Sequence, residues 1–122
     1  MKNLKLISLL LFASFILPSL SYAAKDLKIV ANDKVCMVTD MFFGKKQIPV
    51  EHKGNTYYGC CENCKATLAS DPASRTATDP VTGKSIDKAK AVIAARSDNS
   101  VLYFESKATF AKYSKGLAPQ KK

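Results

Sequence analysis

The chain has 122 residues, a net charge of +9, four cysteines, one histidine and no tryptophan. That length suits one small domain or two very small ones with a modest core, for which a metal or disulfide staple is a help. The lysines are scattered rather than gathered in a run or stripe, which argues against nucleic acid as a partner and reads as solvated surface.

Lys2 and Lys5 precede an apolar run from Leu6 to Leu20, and Ser21-Tyr22-Ala23 places small residues at the two positions a signal peptidase reads. Residues 1–23 therefore read as a cleavable signal peptide, with cleavage after Ala23. The run of 15 apolar residues falls short of the roughly 20 that span a bilayer, so no stable membrane insertion is expected after cleavage. The mature chain would run from Ala24 to Lys122, 99 residues, with a charge of +7 once Lys2 and Lys5 are gone from the +9. Its expected setting is periplasmic or secreted.

After a polar start, "LKIV" (Leu27 to Val30) is expected as an edge strand or docking arm, and Val35 to Thr39 opens the folded part. Gln47 to Val50 and Lys53 to Tyr58 read as two strands around "HKGN", with Gly54-Asn55 supplying the positive-φ residues of a tight hairpin. From Glu62, "ENCKATLAS" predicts a short helix that stops at Asp71-Pro72, because a residue before proline avoids the helical region. Residues 71–80, "DPASRTATDP", read as a linker. Periodicity leaves "AKAVIAA" open between strand and helix. "VLYF" predicts a strand, and "SKATFAKY" a helix with Ser106 as N-cap and Phe110 and Tyr113 on one face. Residues 115–122 read as a disordered tail.

A weak internal repeat runs through these elements. Cys36 stands 24 positions before Cys60, which follows "TYYG", and Thr82 stands 23 positions before Glu105, which follows "LYF". A short helix follows each. Only the first half carries thiols.

Cys60 and Cys64 are i, i+4 and Cys61 and Cys64 are i, i+3, so at the start of a helix either pair can converge. Free N–H groups and the dipole at such a helix start favour thiolate, the form that binds soft metals, and Cys36 could close the site from the knuckle. Three readings stay open on the residues alone: a soft-metal site, two structural disulfides in an oxidising compartment, and a redox pair at Cys61-x-x-Cys64.

The stretch from Val35 to Pro72 resembles the TRASH/YHS group of small treble-clef-like metal-binding domains. "KVCMV" matches their cysteine knuckle through Val35, Cys36 and Met37, without the usual glycine. "GNTYYGCCENCKATLASDP" matches their aromatic strand and helix-opening cysteine pair, with Cys60 and Cys64 in the two ligand positions. "TDPVTGKSIDKAKAVIAARSDNSVLYFESKATFAKY" resembles cysteine-free copies, with Thr82 at the knuckle position and Glu105 at the first cysteine of the pair. The resemblance implies an α+β fold of treble-clef-like hairpin-plus-helix units in a degenerate tandem repeat, residues 33–72 binding metal and residues 79–114 structural or contributing an oxygen ligand through Glu105. It also implies a metal site at Cys36, Cys60 and Cys64.

Thiolates suit Cu(I) or Zn(II). Cys61, His52 and Met37 are possible additional ligands, although Met37 also suits the core and His52 an exposed turn. No serine or cysteine has a histidine beside it, and no carboxylates are paired, so no enzyme is expected. The sequence thus points to an exported sensor, chaperone or scavenger of copper or zinc, with a metal-transport or metal-resistance protein as its partner. A disulfide-stapled interaction module is the alternative, and a thiol oxidoreductase comes third.

Overall fold

The computed structural model describes residues 27–116, and these form nine short strands and two helices in an α+β fold of small antiparallel hairpins. The expected signal peptide and nearly all of the expected tail lie outside the described residues. Among those described, no helix is long and apolar enough to cross a membrane.

"LKIV" forms β1 (Lys28–Val30), an edge strand. A knuckle follows, made of β2 (Val35–Cys36) and β3 (Met41–Phe42), with Asp40 at φ 54 in its turn. The next hairpin joins β4 (Ile48–His52) to β5 (Asn55–Gly59). His52 pairs with Asn55, so the turn is Lys53-Gly54, at φ 48 and 79. This lies one residue before the expected Gly54-Asn55, because closing a two-residue loop forces both central residues to positive φ. Helix α1 (Glu62–Ser70) then runs to Asp71.

Residues 71–80 are no linker. The Asp71 carboxylate accepts from the Ala73 amide and opens a short 3₁₀ turn, Pro72–Arg75. Arg75 is buried and donates to the Leu68 carbonyl, tying the turn back to α1. Then β6 (Thr76–Thr78) pairs with β7 (Ser85–Asp87). The Ser, Thr and Asp content that mimics a linker is used for local side-chain-to-backbone hydrogen bonds.

"AKAVIAA" resolves as strand β8 (Val92–Ala95), the middle strand between β1 and β9 (Val101–Phe104). Ile93 and Ala94 are both fully buried, so both faces of β8 are covered and no alternation was there to read. Helix α2 (Lys107–Ser114) starts at the expected Ser106 cap, whose hydroxyl accepts from the Thr109 amide. Phe104, fully buried, meets Phe110 and Tyr113 edge-on at 5.5 Å, which fixes the helix on the strand.

One core serves both halves. Val35, Met37, Val50, Tyr57 and Leu68 from the first pack with Ile93, Val101 and Tyr103 from the second. Fully burying a side chain such as Leu68 contributes about 2 kcal/mol. Local geometry also recurs. Val35 pairs with Phe42, and Thr78 pairs with Ser85, each partner 43 positions later (35 to 78, 42 to 85). The positive-φ residues Asp40 and Gly83 keep that spacing (40 to 83). The helix N-caps recur 45 positions apart (61 to 106), with Cys61 at φ −155, ψ 173 and Ser106 at φ −156, ψ 169.

Candidate metal centre

Cys36 ends β2, where pairing with Met41 holds it at the mouth of the knuckle, and its side chain is fully buried. Cys60 follows β5. Cys61 is the N-cap of α1, so Cys60 precedes the helix rather than lying in its first turn, and Cys64 is the third helical residue. The Met37 amide donates to the Tyr58 carbonyl at 2.8 Å, which seats the knuckle against the strand that delivers Cys60.

Gly59 lets these parts close. A Cβ there would stand 2.9 Å from the Cys64 Cβ and 3.2 Å from the backbone at Cys64 and Lys65. Only a residue without a side chain lets the strand end run this close under the helix start. The glycine of "YYGCC" was in plain view, but its role depends on a contact that no spacing rule encodes.

The ligand atoms of Cys36, Cys60 and Cys64 lie within 4.8 Å of one another, close enough to hold a metal ion. The edge of a tetrahedral site with Zn–S bonds of 2.3 Å is about 3.8 Å, so modest side-chain rotation closes the set. The Cys60 and Cys64 sulfurs are already 3.6 Å apart. Cys61 Sγ lies 3.4 Å from Cys64 Sγ but stands outside the three-thiol group, exposed to solvent. His52 is at the opposite end of the hairpin from Gly59, a four-residue rise of about 13 Å, and does not join the group. Met37 is fully buried in the core cluster.

The thiols differ electrostatically. Burial pushes Cys36 up, but the Thr39 hydroxyl and the amides of Thr39, Val38 and Cys60 donate to its sulfur and bring its pKa down to about 7. Cys64 is pushed up to about 12 by burial and by the three neighbouring thiols. Cys60 is raised by its hydrogen bond with Cys36 and by burial. Cys61 is lowered by the Cys64 amide and thiol. A sulfur whose thiolate is favoured therefore faces two whose thiol form is favoured, and binding a cation would release their protons.

At the place in the second half that matches Cys36 stands Asp79, not the expected Thr82. Asp79 is fully buried. Its carboxylate accepts from the amides of Val81 (2.7 Å), Thr82 (3.3 Å) and Glu105 (2.7 Å). Cys36 takes the amides two and three residues on and that of Cys60; Asp79 takes the amides two and three residues on and that of Glu105. Glu105 contributes its amide, while its carboxylate faces Lys84 in solvent at 3.9 Å.

Asp87 and Lys88, adjacent in the second half, both reach into the first. Asp87 accepts from the Tyr57 hydroxyl at 2.9 Å and from the Asn55 amide group at 3.1 Å, gripping the hairpin that leads to Cys60. Lys88 is buried and donates to the Met37 carbonyl at 2.6 Å and to Asp40 at 2.8 Å, gripping the knuckle of Cys36. Tyr103 donates to the same Asp40 oxygen at 2.8 Å and lies under the Lys88 ammonium. Nothing in the sequence marks these two residues as more than surface charge.

Comparison with protein-family models, with curated proteins and with solved structures returns no match.

Proposed function

We propose that this protein binds a soft metal ion, Cu(I) or Zn(II), through Cys36, Cys60 and Cys64, and acts outside the cytoplasm as a sensor, chaperone or scavenger. The observation that carries the reading is the convergence of three sulfurs, from a knuckle, a strand end and a helix start, within 4.8 Å. Sulfur donors select Cu(I) and Zn(II) over hard cations, and no carboxylate belongs to the group. The TRASH/YHS resemblance names the same three positions. Export follows from the leader pattern of residues 1–23, and an oxidising compartment is where a partner in metal transport or resistance would meet the protein. Binding rather than catalysis is favoured by the place of the one histidine, His52, at the turn end of the hairpin and outside the thiol group.

The disulfide-stapled alternative meets four free thiols, two of them buried. Anaerobic titration of the reduced protein with Cu(I) and Zn(II), with a thiol count before and after, tests the proposal. Uptake of one ion with protection of three thiols is expected. No uptake of either ion after full reduction overturns it.

A further inference from the structure

We propose that the cysteine-free half is an ion-independent clasp that keeps the three-thiol site formed when empty, so that the ion is exchangeable cargo rather than a structural staple. The inference rests on the metal reading above and adds what the second half does for it.

The argument starts from Asp79. A small treble-clef-like unit has little core of its own, and a knuckle and a helix start in such a unit need a cross-link. In the first half the cross-link available is an ion held by Cys36, Cys60 and Cys64. In the second half the Asp79 carboxylate makes it directly, binding the knuckle amides of Val81 and Thr82 with one oxygen and the Glu105 amide at the strand–helix junction with the other. A fully buried carboxylate with three N–H donors is a satisfied group, and its bonds to charged oxygen are of the strong kind. This half closes without metal.

The closed half then holds the open one. Asp87 fixes the hairpin through Tyr57 and Asn55, and Lys88 fixes the knuckle through Met37 and Asp40. These are the two elements that bring Cys60 and Cys36 together, and neither grip involves a thiol. The shared core adds to them, with Ile93, Val101 and Tyr103 against Val35, Met37 and Tyr57. Lys88 is a positioning residue: it touches no ligand atom and acts through the Met37 carbonyl, one residue from Cys36.

The experiment is amide hydrogen exchange and Zn(II) affinity on the full chain, with and without a chelator. In the wild-type protein, chelation should leave the Glu105, Thr82 and Met37 amides protected to within about threefold. Asp79→Asn, which sets an NH₂ group or a neutral oxygen against three donors, should need Zn(II) to keep that protection. Lys88→Met should weaken Zn(II) binding about tenfold or more while the Glu105 amide stays protected, separating positioning from unfolding. Global loss of protection on chelating the wild-type protein, or an Asp79→Asn chain as well protected without Zn(II) as the wild type, overturns the clasp. A reduced wild-type chain that takes up neither Zn(II) nor Cu(I) overturns the metal reading, and the cargo role with it, whatever the exchange pattern.

Discussion

A side chain on Gly59 would collide with Cys64: the two Cβ positions fall 2.9 Å apart, with the Lys65 amide at 3.2 Å behind. The strand end and the helix start are thus in backbone contact at the point where Cys60 and Cys64 must meet. Gly59→Ala should force them apart, at a stability cost of about 1–3 kcal/mol typical of overpacking. Metal affinity should fall about tenfold or more, because separation opens the Cys60–Cys64 gap from its 3.6 Å. Urea denaturation and Zn(II) competition measure the two effects separately.

Serine scanning should divide the four thiols unequally. Cys36→Ser, Cys60→Ser and Cys64→Ser should each cost at least about 100-fold in Cu(I) or Zn(II) affinity, since each removes one of three soft donors. Cys61→Ser should leave affinity within a few-fold. It should also raise stability by up to about 1 kcal/mol, because Cys61 is an N-cap whose sulfur accepts only weakly from the helix amides, where serine makes the stronger side-chain cap bond. Ser106, in the same conformation at α2, already has that bond.

The Asp79 carboxylate sets an acid limit. Burial would raise its pKa, but the amides of Glu105, Val81 and Thr82 and the Thr109 hydroxyl hold it below the ordinary 3.8. A depressed folded-state pKa means that the stabilisation is complete above the unfolded value and is lost as pH falls through the folded one. Equilibrium unfolding of the ion-free protein should therefore show stability declining below about pH 4, a decline that Asp79→Asn removes from an already weakened chain.

Oxidation should choose the outer pair. Cys36 is fully buried and engaged with Cys60, whereas Cys61 is exposed with its sulfur 3.4 Å from that of Cys64. Incubating the ion-free protein with a small disulfide such as oxidised glutathione should give a Cys61–Cys64 bond. The two thiols lose two electrons and two protons to that reagent, which is released as two thiols. Peptide mapping identifies the bridge, and prior loading with Zn(II) should suppress it. A Cys60–Cys64 bridge in its place would contradict the division of the thiols.

Much of this was legible because it is local. The strands of "VLYF" and "TYYG", the two helices and the Ser106 cap follow from short-range rules on propensity and capping. So does the pairing of Cys60 with Cys64 around a helix start, although Cys60 proved to be the residue before the cap. What the sequence hid is long-range. Asp79 sits in a stretch that reads as a linker, and its burial depends on an amide 26 residues away. Lys88 reaches across 51 residues to the Met37 carbonyl, and one lysine among many carries no mark of that. The strand β8 was ambiguous for a different reason: a strand covered on both faces has no polar side to reveal its period.

The cradle of N–H groups around Cys36 also bears on how firmly an ion is held. Each donor that points at the sulfur draws electron density from it, and that density is what a thiolate lends to a metal. Cys36 is thus the converging sulfur whose thiolate its surroundings favour and whose donor strength they reduce. Cys60, exposed and raised rather than lowered, gives up its proton less easily. An ion entering this site from solvent would meet Cys60, the exposed one of the three, at the rim, where a competing sulfur from another molecule can also reach it.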